Sequence, residues 1–325
     1  MMPASSTLKR YILWILSSAL AVTALVLVFL QSDQRNGGVA PQEPALRVVL
    51  IPADGGTADG TLADHRPVFA ELSRATGLQF SLTATQSYGA AVQALCSGAA
   101  DIAFLGPASF LAGRERGCIE LLAMGVRQGQ ALYYSIILVQ KDSPIQRLQD
   151  LKGRRLAVGD VHSTSSFQMP LIMLLEAGVN PARDLAAVRV SGSHPESLSA
   201  LLHGHVDAAA LSLNSYERAL RNNVPGAAQL RILARSEPLP YPPFVMSTRL
   251  SPEIRARLVR GFRALASGQG GTKRALVGYA GDQLDGYLVD VSDEPFNRLA
   301  ARLSRLTPEM RTQVLARAGQ QEFRQ

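Results

Sequence analysis

Four hydroxyl side chains follow one another at Ser163–Ser166, between a strand pattern at Lys152–Val158 and a helix pattern at Leu171–Glu176. The first turn of a helix has backbone N–H groups without intrahelical partners and carries the positive end of the helix dipole. Hydroxyls at that position add further donors, so the segment Gly159–Pro170 suits a tetrahedral oxyanion. The alternative is an ordinary Ser/Thr helix cap, which needs no ligand.

Signals for catalysis or for a bound metal are weak. The chain contains neither G-x-S-x-G nor H-E-x-x-H, and its S-x-x-K sequence, Ser6–Lys9, precedes a long apolar segment. His203 and His205 are two residues apart and do not share a helix face. We therefore predict that the protein is not an enzyme and has no cofactor or metal site.

The charge of the chain fits an anion ligand better than a nucleic acid. The formal net charge is +7, but the basic residues are spread along the sequence and no nucleic-acid-binding motif occurs. A basic surface would help to capture small anions. We predict no nucleic-acid partner.

An apolar segment of twenty residues without a charge, Tyr11–Leu30, follows Lys9 and Arg10. This length can span a bilayer, and the preceding positive charges place the N-terminus inside. An uncleaved anchor is favoured over a cleaved signal peptide, because the nearest small-residue cleavage sequence, Gly38–Ala40, lies far downstream. In both cases the rest of the chain is exported, after a polar linker at Gln31–Pro44.

Two cysteines, Cys96 and Cys118, would then face an oxidising compartment. Each ends a predicted helix just before a predicted strand. A disulfide and two buried free thiols are both open alternatives.

Apolar strand patterns alternate with helix patterns along the exported part. Ala45–Ile51 and Ala100–Leu105 are clear strands, and the alternation restarts after a longer β run at Tyr133–Gln140. This pattern predicts parallel sheets with helices on both faces, and such sheets bind ligands at the carboxyl ends of their strands. We predict two α/β lobes joined by two crossing strands. The predicted boundaries are residues 1–44 for the tail, apolar segment and linker, 45–139 for the first lobe, 140–236 for the second lobe, and 237–325 for a largely helical return to the first lobe.

Three segments resemble the phosphate/phosphite/phosphonate-binding proteins of ABC transporters. They read SYGAAVQALCSGAADIAFLGPASFL, YYSIILVQKDSPIQRLQDLKGRRLAVGDVHSTSSFQMP and VSGSHPESLSALLHGHVDAAAL. The resemblance covers residues 46 to about 300. It implies a type II periplasmic-binding-protein fold that closes on an oxyanion.

The resemblance also implies which residues contact the ligand. The S-T-S motif of the family falls on Ser163, Thr164 and Ser165, and the histidine of its S-G-S-H motif on His194. Aromatic candidates are Tyr88 and one of the adjacent pair Tyr133 and Tyr134, which point to opposite faces of a strand. We assign this role to Tyr134. Two further candidates lie in cleft loops, namely Ser109 and Asp54.

The sequence departs from the family in places that affect the ligand. Ser166 replaces the glycine of the S-T-S-G motif, and Asp54 belongs to an Ile-Pro-Ala-Asp loop where relatives have an I-P-x-E-like sequence. Relatives that hold an aminoalkylphosphonate use two carboxylates, at positions that align here with Asn214 and with Tyr241–Pro243. An anion without an ammonium group, such as phosphite, phosphate or methylphosphonate, therefore fits better.

Together these features predict an extracytoplasmic solute-binding protein that delivers a phosphorus oxyanion to an ABC transporter permease. It would lie on the periplasmic side of the inner membrane, held by its N-terminal helix or released after cleavage. The alternative is a membrane-tethered sensor module that acts on a signalling partner.

Overall fold

The structure is a computed structural model that describes residues 43–53, 57–267 and 276–322. The chain divides into a unit that ends at Pro44 and a compact unit from Ala45 onward, and the fold below is that of the second unit. The apolar segment Tyr11–Leu30 and the candidate Asp54 lie outside the described residues. Among the helices of the described ranges, none has both the length and the apolar character needed to cross a bilayer.

The fold contains fifteen strands and nine helices within these described ranges. The strands are β1 (Leu46–Leu50), β2 (Phe80–Ala84), β3 (Ile102–Phe104), β4 (Ile119–Val126), β5 (Leu132–Tyr133), β6 (Ser135–Gln140), β7 (Arg155–Val158), β8 (Ala187–Val190), β9 (Ala208–Ser212), β10 (Leu230–Arg235), β11 (Leu239–Pro240), β12 (Pro243–Ser247), β13 (Leu276–Val277), β14 (Gln283–Leu284) and β15 (Gly286–Leu288). The helices are α1 (Ala58–Thr76), α2 (Tyr88–Ser97), α3 (Pro107–Glu115), α4 (Met169–Glu176), α5 (His194–Leu202), α6 (Leu213–Arg221), α7 (Pro252–Ser267), α8 (Glu294–Leu303) and α9 (Pro308–Glu322).

Two mixed sheets organise these elements. The first has the order β15-β4-β12-β3-β1-β2, and the second has the order β10-β6-β9-β7-β8. Strands β1, β2 and β3 are parallel in the first sheet, as are β7, β8 and β9 in the second. The inner strands β3 and β9 are buried along their whole length, whereas the edge strands β2 and β8 are partly exposed.

A short antiparallel pair, β5 with β11, lies where the chain passes between the two sheets. We call residues 45–133 and 239–291 the first lobe and residues 135–235 the second lobe. The predicted boundary at residue 140 is therefore placed too late, since β6 (Ser135–Gln140) pairs with β9 and β10 of the second sheet. The β run at Tyr133–Gln140 was assigned to one element, but it is split between the crossing pair and the second sheet.

The return segment also differs from the prediction of a largely helical chain after Pro252. Helix α7 is followed by the short strands β13 to β15, and β15 adds to the outer edge of the first sheet beside β4. Glycines at 278, 281 and 286 interrupt this stretch and disfavour a helix. The available edge of β4 provides the backbone partners that make β15 a strand.

Local signals set the ends of the helices. Thr57 caps α1 by accepting from the Gly60 N–H at 3.1 Å, so the helix begins at Ala58. Gly77 ends the same helix with a φ of 71°, which glycine adopts without strain. Ser193 likewise caps α5, which therefore begins at His194.

Cys96 at the end of α2 and Cys118 just before β4 form a disulfide, with their Cα atoms 5.0 Å apart. The bond joins two elements of the first lobe. Of the two alternatives left by the sequence, the structure has the disulfide.

Candidate ligand-binding site

The hydroxyl cluster Ser163–Ser166 is buried at the start of a π-helical turn, Thr164–Gln168, that leads into α4. Ser163 is the N-cap, and its hydroxyl oxygen accepts from the Ser166 N–H at 3.2 Å and from the Ser166 hydroxyl at 2.8 Å. The ordinary serine helix cap, which the sequence left open as the alternative to a ligand site, is therefore present. Because these bonds use only the oxygen of Ser163 as acceptor, its own hydroxyl hydrogen remains a donor.

Ser166, which replaces the glycine of the family motif, packs directly over Gly159. A Cβ atom at Gly159 would lie 2.2 Å from the Ser166 hydroxyl oxygen, which is far inside contact distance. The two backbones are also joined, since the Gly159 N–H donates to the Ser166 carbonyl at 2.9 Å. A glycine at 159 is thus required by the serine at 166.

Thr164 links the second lobe to the first. Its hydroxyl oxygen accepts from the Ala108 N–H, in the first turn of α3, at 2.8 Å. Next to this bond is Gly106, where an added Cβ would lie 3.7 Å from the Thr164 hydroxyl oxygen and 3.5 Å from the Tyr88 ring. Gly106 thus lies between the Tyr88 ring and the Thr164 hydroxyl, at ordinary contact distance from both.

Two further bonds between the lobes lie beside Thr164. The Ser109 hydroxyl donates to the His162 carbonyl at 3.3 Å, and the Tyr88 N–H donates to a carboxylate oxygen of Asp160 at 3.2 Å. The structure therefore brings together the predicted candidates Tyr88, Ser109 and Thr164, with Ser163 and Ser165 next to them in sequence. We call this region the hydroxyl junction.

His194 lies at the first position of α5, where both of its ring nitrogens have protein partners. The Nδ1 atom accepts from the Ser212 N–H at 3.2 Å, and Nε2 lies 2.9 Å from the Tyr279 hydroxyl. Because a backbone N–H can only donate, Nδ1 carries no hydrogen and the hydrogen is on Nε2. His194 is therefore neutral and donates to Tyr279, whose hydroxyl donates in turn to the Ser212 hydroxyl oxygen at 3.0 Å.

Strand β3 connects the hydroxyl junction with the surroundings of His194. Its last residue, Phe104, packs near Tyr279 with 6.2 Å between ring centroids, and the chain then runs to Gly106 beside Thr164. The backbone N–H of His194 also donates to the Ala53 carbonyl of the first lobe at 3.4 Å. Both groups of predicted residues thus lie along the contact between the two lobes.

The two adjacent tyrosines have different surroundings. Tyr133 is buried and packs near Tyr279, with ring centroids 6.0 Å apart. Tyr134 is half-buried, and the guanidinium of Arg235 lies 4.5 Å from the centre of its ring. The geometry places Tyr133, rather than the assigned Tyr134, next to the His194 group.

Sequence reasoning missed several residues of this region. Ser212 ends the apolar strand β9, and Ser215 lies in the first turn of α6, so the pattern of hydroxyls between a strand and a helix, as at Ser163, could have found them. Tyr279 carries no such signal, because it lies in a short turn of the return segment, far along the chain from His194.

A buried carboxylate, Asp282, lies three residues beyond Tyr279. Its Oδ2 accepts from the Asn214 side-chain amide at 2.5 Å, and Arg221 and Arg127 approach it at 3.3 and 3.7 Å. Burial raises the pKa of the Asp282 carboxyl, while the bond from Asn214 and the two arginines act in the opposite direction. The side chain of Asn214, at a position where relatives have a carboxylate, is thus directed at a carboxylate from another segment.

Two lobes that meet through helix starts and hydroxyl groups define a solute-binding protein of the α/β class. Among residues 43–53, 57–267 and 276–322, no cluster of three His, Cys, Asp or Glu side chains could hold a metal ion. Residues 56–283, more than half of the chain, match the family described as the periplasmic substrate-binding protein of the phosphonate ABC transporter. The chain belongs to this family, whose members bind substrates for transport.

Characterised relatives are distant in sequence. The chain is 24% identical over 215 residues to the phosphonates-binding periplasmic protein of Escherichia coli, covering 65% of this chain and 63% of that protein. It is 25% identical over 253 residues to the phosphate-import protein PhnD of Mycolicibacterium smegmatis, covering 71% of this chain and 77% of that protein.

A solved structure shares the fold. A binding protein component of a phosphonate ABC transporter from Pseudomonas aeruginosa superposes with a TM-score of 0.71 at 22% identity, covering 87% of this chain and 98% of that chain. The α/β fold predicted from the alternating pattern is therefore that of periplasmic binding proteins.

Proposed function

We propose that this protein binds a phosphorus oxyanion between its two lobes on the periplasmic side and delivers it to an ABC transporter permease. The crossing segments around β5 and β11, which join the two lobes, support the type II arrangement as part of this proposal. The segment Tyr11–Leu30 would anchor the protein to the inner membrane or be removed as a signal peptide.

The observation that carries this proposal is the hydroxyl junction. The Thr164 hydroxyl and the first turn of α3 meet across the lobes, and the hydroxyls of Ser163 and Ser165 lie beside them. The Ser109 hydroxyl already donates to the His162 carbonyl and helps to hold the two lobes together at this place. Helix starts supply unpaired N–H groups and a partial positive charge, which together can bind an oxyanion without a lysine or arginine. The carboxylate of Asp160 accepts from two backbone amides, those of Tyr88 and His162, which each bind one of its two oxygens.

The ligand class is narrowed by Asn214 and Asp282. The side-chain amide of Asn214 donates to Asp282, and Arg221 also pairs with that carboxylate. An ammonium group brought to this place would meet an amide and two arginines rather than an unpaired carboxylate. Phosphite, phosphate and methylphosphonate are therefore better candidates than an aminoalkylphosphonate, and the relatives named above include both a phosphonate-binding and a phosphate-import protein.

Isothermal titration of the purified chain with phosphite, phosphate, methylphosphonate and 2-aminoethylphosphonate tests the proposal, with sulfate as the control anion. We expect saturable binding of one ammonium-free phosphorus anion and weaker binding of 2-aminoethylphosphonate and sulfate. If none of the four phosphorus compounds binds, the oxyanion function is wrong, and the sensor alternative with another solute gains support.

A further inference from the structure

Helix α6 contacts both the candidate site and the outer rim of the first lobe. Its cap Ser212 accepts from Tyr279 and donates its backbone N–H to His194, so the N-terminal end of the helix belongs to the site. Further along the helix, the charged side chains of Glu217, Arg218 and Arg221 reach the first lobe. A nine-residue helix therefore joins the site to a second set of contacts between the lobes.

These second contacts are ion pairs. Arg218 on α6 pairs with Asp64 on α1, through two bonds of which the longer is 3.3 Å. Glu217 on α6 accepts from Arg127, just after β4, at 2.8 Å. We call the ion-paired surface between α6 and the first lobe the α6 junction, formed by Glu217, Arg218 and Arg221 on one side and by Asp64, Arg127 and Asp282 on the other.

The third pair reaches the turn that carries Tyr279. Arg221 approaches Asp282 at 3.3 Å and donates to the Ala280 carbonyl at 2.9 Å. Tyr279, Ala280 and Asp282 are neighbours in sequence, so the same turn is bonded to both ends of α6. The position of α6 thus fixes the position of Tyr279 relative to His194.

Separation of the lobes must break each of these pairs, because every pair has one partner in each lobe. We propose that the α6 junction is a latch whose ion pairs hold the lobes closed and keep α6, and with it Ser212 and His194, in register with Tyr279. The residues of the junction are positioning residues, since they act on the site through α6. This role does not depend on which solute binds.

The latch is tested by removing two of its carboxylates and measuring the distance between the lobes without ligand. Spin labels at Ser81→Cys and Arg189→Cys would report this distance by double electron–electron resonance. Both sites are exposed and lie on the outer edge strands β2 and β8 of the two sheets. The native cysteines are joined in the disulfide and would not react with the label.

The test variant is Asp64→Asn with Glu217→Gln, and the control is Asp101→Asn with Asp207→Asn. Both pairs remove two negative charges that are paired with arginine, and the side chains are similarly exposed, 16% and 32% in the latch against 17% and 27% in the control. The control pairs, Arg47 with Asp101 and Arg155 with Asp207, each lie within one lobe.

We expect the ratio of open to closed molecules to rise about 3- to 10-fold in the latch variant, a modest change because each exposed ion pair contributes little. The ratio should stay unchanged in the control. Raising the salt concentration from about 0.1 M to about 1 M shortens the Debye length from about 10 Å to about 3 Å and should open the wild-type protein in the same direction. This second measurement needs no substitution in the latch, so it remains decisive if the variant does not fold. Equal distance distributions in both variants, or a wild-type distribution that does not respond to salt, would overturn the proposal.

Discussion

The Tyr279 hydroxyl oxygen accepts from His194 Nε2 at 2.9 Å, which joins a turn of the first lobe to the first residue of a helix in the second. The family resemblance assigns His194 as a donor to the ligand, but in this structure His194 donates to the neutral phenol of Tyr279. An anionic oxygen is the stronger acceptor, because hydrogen bonds to charged groups are about twice as strong. A bound oxyanion can thus compete with Tyr279 for His194, while Tyr279 keeps its bond to Ser212.

Replacing Tyr279 by phenylalanine should weaken binding of the phosphorus anion by about 2- to 10-fold. The substitution frees His194 for the anion, but it also removes the bond between the lobes from Tyr279 to Ser212, which the ligand-bound protein keeps. We expect the loss of this bond to dominate, and one neutral hydrogen bond contributes about 0.5–1.5 kcal/mol. The ring contacts with Phe104 and Tyr133 remain, but buried His194 and Ser212 lose a partner, so the melting temperature should fall as well. Titration calorimetry measures the effect, and an unchanged or tighter affinity would refute the assigned role.

Thr164→Val should lower ligand affinity more strongly than Thr164→Ser. Valine keeps the shape of the side chain but leaves the buried Ala108 N–H without its acceptor, at a cost of about 1–3 kcal/mol. Serine retains the hydroxyl and is the matched control. The prediction is checked by titrating both variants with the anion that binds the wild type, and equal affinities would contradict it.

Removal of the disulfide by Cys96→Ser with Cys118→Ser should lower the free energy of unfolding by about 3 kcal/mol. The two cysteines are separated by 22 positions, and cross-linking a loop of this size restricts the unfolded chain by about that amount. Urea unfolding with and without reductant measures the same quantity in the wild type. A midpoint that is insensitive to reductant would exclude a stabilising disulfide.

The ion pair of Arg155 with Asp207 predicts a pH-dependent contribution to stability. The hydrogen bond from Arg155 is the main cause that lowers the pKa of Asp207 in the folded protein. Its contribution is present above the unfolded pKa of about 3.9 and is lost as the pH falls through the lower folded pKa.

Asp207→Asn should therefore be less stable than the wild type near neutral pH, by under about 1 kcal/mol for a pair this exposed. The difference should shrink as the solution is acidified below about pH 4. Urea unfolding across that range measures it, with Asp142→Asn, at an exposed turn after β6, as the control. A difference that stays constant at low pH would show that the pair does not contribute through its charge.

Local sequence patterns were sufficient to predict the buried strands and the position of the hydroxyl cluster. Strands such as β3 and β9 are short, continuous apolar runs bounded by turn residues, and Ser163 lies in the turn between strand β7 and the helical segment after it. The boundary near residue 140 could not be placed in this way, because β5 and β6 form one continuous apolar run. Their assignment to different sheets depends on which distant strands they pair with.

Tyr279 and Asp282 show the limit of sequence reasoning most clearly. Both lie in a stretch interrupted by glycines, and their partners His194 and Asn214 are in another lobe. The choice between Tyr133 and Tyr134 could not be made from the sequence for the same reason. Strand alternation shows that the two side chains face opposite ways, but it does not show which of them meets Tyr279.

The contact between Gly159 and Ser166 restricts the order in which these two positions can change during evolution. A side chain at 159 would collide with the Ser166 hydroxyl, so alanine at 159 is tolerated only after 166 has become glycine. A chain that already has glycine at 166 is free of this restriction and can vary at 159. Any change from Gly159 to a larger residue must therefore be preceded by the replacement of Ser166.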